Sequence, residues 1–127
     1  MALDISDRPT TDGPGPEPGP DPIELFGPIE ERWKALGGKK WGIPANSGRT
    51  RPDGTHVVDF KPHPAATATK SICYKAGIGA RVLSGAIRLA WLHFRGGKLG
   101  APTSDSQPTH DGQGMFQTFE HALYVWH

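Results

Sequence analysis

The stretch from Ile87 to Phe119, IRLAWLHFRGGKLGAPTSDSQPTHDGQGMFQTF, repeats an earlier one from Ile29 to Phe60, IEERWKALGGKKWGIPANSGRTRPDGTHVVDF. Ile29 and Ile87, Trp33 and Trp91, Gly42 and Gly100, Pro44 and Pro102, and Asp53 and Asp111 all sit 58 positions apart. A repeat of this length is one small supersecondary unit used more than once, and such units bury their apolar faces by stacking. The repeated parts are a short helix, Gly/Pro turns and aromatic strands. A repeated nucleophile, base or metal cluster is absent from them, which points to a binding module.

Outward from the repeat, the chain divides at about Pro28. Residues 1–28 hold seven of the 13 prolines, four glycines and a Pro-x-Pro run from Pro14 to Pro22. Such an arm lacks the apolar residues to bury a core and favours extended conformers, so residues 1–22 are expected to make few long-range contacts. The rest, Ile29 to His127, is one small domain, with repeat one over 29–83 and repeat two over 84–127. The chain's aromatic residues, Phe26 excepted, all lie in this part, as a domain of marginal size requires.

The net charge of +1 conceals a split. The arm carries one Arg against six Asp/Glu, and the remainder 13 Lys/Arg against seven Asp/Glu. The cations are scattered apart from Lys39-Lys40 and Arg49/Arg51. No aromatic-basic nucleic-acid motif is present, so nucleic acid is not an expected partner. No run approaches membrane-spanning length, and membrane insertion is not expected. Met1 to Asp7 is too polar and acidic to open a secretory leader, which leaves a cytoplasmic chain or a processed one. The lone Cys73 lies in the strand-like run Ser71-Ile72-Cys73-Tyr74 and reads as a buried structural thiol.

Local signals give each unit its order of elements. Pro28 suits the first turn of a helix, Ile29, Trp33 and Leu36 form one apolar stripe, and Gly37-Gly38 stops it. In the second copy Ser84 is placed to cap a longer helix whose apolar face is Ala86, Ile87, Ala90, Trp91 and Phe94, and Gly96-Gly97 stops that one. The turns Pro52-Asp53-Gly54 and His110-Asp111-Gly112 then lead into strands at 57–60, 72–74, 115–119 and 123–126. Lys61–Lys70 has no counterpart and reads as a loop insertion. The fold class is α+β: two units, each a short helix with short antiparallel strands, preceded by the Pro/Gly-rich arm.

Leu99-Gly100-Ala101-Pro102, its looser copy Trp41-Gly42-Ile43-Pro44, the helix Trp followed by Gly-Gly, the Asp-Gly turn and Gly112–Glu120 together resemble the LGFP repeat. So does Gly79-Ala80-Arg81-Val82 running into Gly85-Ala86-Ile87, although Arg81 stands where the family usually has His. That family occurs in tandem arrays attached to actinobacterial cell-wall enzymes. The resemblance implies non-catalytic binding of carbohydrate, an envelope polysaccharide, at a cell-wall or secreted location. The alternative is a small enzyme reusing the scaffold, with a His/Asp-containing pocket between the repeats. A module that pairs with itself, as a homodimer, or with another protein is a third reading.

The candidate ligand-binding set is Trp41, Asp53, Tyr74, Arg81, Asp111 and His110. Trp33 and Trp91 read as core, whereas Trp41 lies in a turn where a ring face can meet a sugar. Asp53 and Asp111 have two readings: acceptors that close their own turns, or acceptors for ligand hydroxyls. The six histidines show neither helical i, i+4 spacing nor an HExxH frame, so no metal and no cofactor is expected. Ser47, Ser71 and Ser104 could each enter a triad only through tertiary placement, and no nucleophile elbow is present. One further expectation concerns the ends of the domain. The last strand should close onto the first helix, burying Trp126 against Phe26–Trp33, or the two apolar ends should meet across a dimer.

Overall fold

The computed structural model describes residues 23–126. Helix α1 (Gly27–Leu36) is followed by a 3-10 turn at Gly38–Lys40 and by strands β1 (Ile43–Pro44), β2 (Arg49–Thr50), β3 (His56–Lys61), β4 (Lys70–Lys75) and β5 (Gly79–Ser84). Then come α2 (Gly85–Ala90), a π turn (Trp91–Arg95), α3 (Gly96–Leu99) and strands β6 (Gln107–Pro108), β7 (Met115–Thr118) and β8 (Leu123–Trp126). The α+β class stands. The expected behaviour of residues 1–22 lies outside the described residues. Packing begins ahead of Ile29, because Leu25 joins the core around Ile29 and the Phe26 ring stacks on His56 at 4.3 Å.

All strands pair antiparallel in two sheets, β1-β3-β4-β5 with β2 also on β3, and β6-β7-β8. The first sheet is covered on both faces. Ile29 of α1 packs with Val58, Phe60 and Ile72, while Ile87 and Trp91 pack with Val57, Cys73 and Leu83 from the opposite face. The alternation Val57/Val58 along β3 supplies one apolar residue to each side. The second sheet shares the Trp91 cluster through Phe119, with Met115 and Tyr124 against it, so α2 lies between the sheets. Each aliphatic or aromatic side chain so buried contributes about 1.5–3 kcal/mol.

The sequence repeat is also a geometric one. Trp33 Nε1 donates to the Gly42 carbonyl at 2.8 Å, and Trp91 Nε1 donates to the Gly100 carbonyl at 2.8 Å. Pro44 pairs with Phe60, and Pro102 with Phe119. Thr50 pairs with His56, and Pro108 with Met115. From His56 onward the offset is therefore 59, the extra residue lying between Asp111 and Met115. The expected Lys61–Lys70 insertion is a loop over 62–69 only, since Lys61 ends β3 and Lys70 opens β4.

Four expectations are corrected. Gly96-Gly97 does not stop the second helix: the chain stays helical through Leu99 by way of the π turn. The reason is a single residue. Trp91 is followed by four residues before Gly96-Gly97, whereas Trp33 is followed by three before Gly37-Gly38, and a π turn absorbs one extra residue. In α1 the stop does operate, since Gly37 adopts φ 127°. Ser84 occupies the N-cap position of α2 without a side-chain cap bond. Gly79–Ser84, absent from the expected strands, is a full strand paired with β4 over six residues. Lastly, Trp126 is not buried against α1. It is 46 % exposed on β8, whose pairing runs to β7.

Candidate functional site

The cleft of interest lies where the two halves meet. Its first wall is the turn between β2 and β3. Asp53 Oδ1 accepts the Thr55 N–H at 3.0 Å, Gly54 takes φ 92°, and the Arg51 N–H donates to the Thr55 carbonyl at 2.8 Å. This fixes Arg51 with its guanidinium over the Trp91 ring, 4.5 Å from the centroid, a cation–π contact that joins one half to the other.

The second wall comes from the tight segment after α3 and from the loop between β7 and β8. Gly100 has φ 78°, and a Cβ there would lie 2.9 Å from atoms of Glu120 and His121, so only glycine permits the approach. Glu120 Oε1 accepts the Ala101 N–H at 2.9 Å. Lys75, at the end of β4, crosses the gap: its Nζ donates to Glu120 Oε1 at 3.1 Å and stands 3.9 Å from Asp53 Oδ2. Between these groups is a cavity of about 280 Å³ lined by Arg51, Pro52, Asp53, Lys75, Gly97, Gly100, Glu120 and His121.

Both carboxyls are held below their ordinary range. For Asp53, burial acts upward but is outweighed by the Thr55 hydrogen bond and the charges of Lys75 and Arg51. For Glu120 the Ala101 N–H is the largest cause, followed by the Lys75 hydrogen bond. Both are therefore acceptors at neutral pH. What the cleft offers is a ring of alternating donors and acceptors around a small concavity.

The six residues singled out from sequence are not gathered at one place. Asp53 lines this cleft. Tyr74 is half-buried on β4, its ring 5.3 Å from Phe26, and borders a separate open concavity with Glu31 and Arg32. Arg81 pairs with Cys73 across β5 and β4, and its Nη2 donates to the Ile78 carbonyl at 3.1 Å. Trp41 packs edge-on against Phe60 at 5.2 Å, and Lys70 Nζ lies 4.1 Å from its ring centroid, so a cation already occupies one face. His110 and Asp111 sit in the exposed turn of the second half, where Asp111 Oδ1 accepts from the Thr109 hydroxyl at 2.6 Å and the Gln113 N–H at 3.0 Å. The turn reading of both aspartates thus holds, and Asp53 additionally faces the cleft. Sequence reasoning missed Arg51, Lys75, Glu120 and His121 as one group, because 69 intervening positions hide it.

Other polar groups are committed elsewhere. Ser71 donates to Asp59 Oδ1 at 2.6 Å and accepts from Arg88 Nε at 2.8 Å, all buried, so it serves a structural node. Cys73 is buried, and desolvation pushes its thiol far up. Among the described residues no group of three or more His, Cys, Asp and Glu is placed to hold a metal, and no helix is long and apolar enough to cross a membrane.

Residues 99–127 match the family model of the LGFP repeat. The match takes in the end of α3, the Trp91-bonded Gly100, β6, β7 and β8, so the second half carries an LGFP repeat. No curated protein matches the chain.

Proposed function

We propose that the protein is a non-catalytic glycan-binding module whose ligand occupies the cleft between the halves. The observation that carries this is the pairing of Asp53 and Glu120, both held ionised, with Arg51 and Lys75 around one concavity. Polyhydroxylated ligands are bound by such alternating acceptors and donors, which exchange water for sugar hydroxyls. The LGFP resemblance implies an envelope polysaccharide at the cell wall as the ligand, where weak single sites act together.

The test is co-sedimentation of the purified chain with insoluble actinobacterial cell walls, alongside an assay for released sugar. The expected result is sedimentation without sugar release, weakened at least tenfold by Asp53→Asn or Lys75→Met. Protein left in the supernatant with every wall fraction would refute the reading. Sugar release abolished by Asp53→Asn would replace it with the small-enzyme alternative. Loss of binding in Trp41→Ala or Asp111→Ala, with the cleft variants unaffected, would move the site.

A further inference from the structure

We propose that copies of this chain associate head to tail, the segment Ile23–Phe26 of one copy adding as a strand beside β8 of the next. The proposal is separate from the cleft and does not depend on glycan binding.

The contact already exists once inside the molecule. There, β5 covers the edge of β4 and delivers α2 onto the face formed by Val57 and Cys73. The corresponding surface of the second half is open among the described residues. By the pairings Val57↔Cys73 and Phe116↔Val125, the counterpart of the Val57/Cys73 face is Phe116/Val125, and β8 is the counterpart of β4. Leu123 is 59 % exposed and Val125 43 % exposed on this surface. An open strand edge with apolar side chains beside it is a template for strand addition.

The occupant is identified by the same arithmetic. At the 58-residue offset, Leu25, Gly27, Ile29 and Trp33 correspond to Leu83, Gly85, Ile87 and Trp91. Ile23–Phe26 therefore stands before α1 as Arg81–Ser84 stands before α2. The register Ser71↔Leu83 and Cys73↔Arg81 translates to Leu123 opposite Leu25 and Val125 opposite Ile23 of the second copy. Both are apolar pairs on one face, the arrangement that stabilises neighbouring strands. Ile23 is itself 42 % exposed.

Charge agrees. Inside the molecule, the Arg51–Asp53 turn lies over Trp91, with Lys75 joining Asp53 to Glu120. The equivalent place on the first half is an open, mainly apolar groove of about 420 Å³ beside Trp33, Ile43 and Pro44, bordered by Ile23 and Leu25 themselves, with Lys39 and Lys61 outnumbering the one acid, Glu30, which Lys34 pairs. The turn that would cover it carries Asp111, the counterpart of Asp53. Lys61, the counterpart of Glu120, then faces Asp111 of the copy that supplies β8 directly, with no bridging cation needed. Because the two surfaces differ, the contact is heterologous and extends into chains or a ring.

Sedimentation velocity on the full chain from micromolar to millimolar concentration tests this. Mass should rise with concentration, and Ile23→Asp and Val125→Asp should each abolish the rise, while near-UV circular dichroism confirms the fold. The two variants mixed should form a one-to-one pair, since each retains one sound surface. Lys61→Glu should weaken association at least tenfold, and Asp111→Lys added to it should restore it. A monomer at every concentration overturns the proposal. So does unchanged association in Ile23→Asp, which would indicate two-fold pairing of β8, or failure of the mixed variants to pair.

Discussion

At one position of the repeat the first half buries a carboxylate, and the second places a hydroxyl. Asp59 and Thr118 are equivalent, since the Asp59 N–H donates to Asn46 Oδ1 at 3.3 Å and the Thr118 N–H donates to Ser104 Oγ at 3.1 Å. From there the two diverge. Asp59 gathers Ser71, Arg49 at 2.8 Å, Asn46 at 3.0 Å and Arg88 at 3.2 Å. Thr118 accepts the Thr103 hydroxyl at 2.8 Å. The charged node stands where α2 covers the sheet, and Arg88 reaches it from that helix. The hydroxyl pair stands beside the face of β7 and β8 that no other described residues cover. Backbone bonds shared by the halves keep the unit's shape, and the side chains that differ decide what lies on top of it.

The largest effect that separates the halves follows from this node. Asp59→Ala leaves Arg88 buried without its carboxylate and is expected to lower stability by about 3–5 kcal/mol, whereas Thr118→Ala should cost about 1 kcal/mol. Urea unfolding of both variants measures the contrast, and equal losses would break it. Acid gives a second readout of the same node. Burial acts to raise the Asp59 pKa, but hydrogen bonds from Ser71, Arg49 and Asn46 outweigh it and hold the carboxyl at about 2, against 3.8 ordinarily. A folded-state pKa below the unfolded one gives stability that is present above about pH 4 and lost as pH falls toward 2, worth about 2 kcal/mol. In Asp59→Ala that part of the acid transition should vanish.

A smaller contrast concerns the tryptophans. Each makes the same indole bond to a glycine carbonyl, but Trp91 is wholly buried and Trp33 is half-buried. Trp91→Phe should therefore cost about 2 kcal/mol, for the carbonyl left unpaired and the space left behind, and Trp33→Phe about half that, since water reaches its neighbourhood. Denaturant midpoints at constant slope decide it. A larger loss at Trp33 would mean that its groove is normally covered.

These contrasts also mark what the sequence could convey. The helix–turn–strand order, the glycine turns and the core tryptophans were legible because spacing alone carries them: Trp33 and Gly42 are nine apart, as are Trp91 and Gly100. The π turn was legible in principle, as the one extra residue between Trp91 and Gly96-Gly97, but a Gly-Gly pair signals a stop more loudly than a one-residue surplus signals a bulge. β5 was hidden because Gly79-Ala80-Arg81 carries weak strand propensity and is held by pairing with β4. The cleft was least legible. Asp53, Lys75 and Glu120 come from a turn, a strand end and a loop far apart in sequence, and only the stacking of the halves brings them together. Trp126 misled for the converse reason: an aromatic at a strand end suggests burial, and its exposure depends on what lies beside β8.

The smallest expected effect tests the seam itself. Lys75 and Glu120 hold the halves together across the cleft, but their side chains are 26 % and 24 % exposed, so water and salt weaken the pair. Glu120→Gln keeps an oxygen for the Ala101 N–H and loses only the charge facing Lys75. It should cost less than about 1 kcal/mol at low ionic strength and nearly nothing in high salt. At the equivalent position of the first half, Lys61 Nζ donates to the Pro64 carbonyl of its own loop at 3.0 Å, with no link to the other half among the described residues. Lys61→Gln should therefore leave the stability of dilute protein unchanged at any salt concentration. Thermal unfolding at two ionic strengths distinguishes the pair. A salt-dependent loss at Glu120 and none at Lys61 locates the charged seam where the halves stack, whereas matching losses would show that the charges act through the overall field of the molecule and not through the seam.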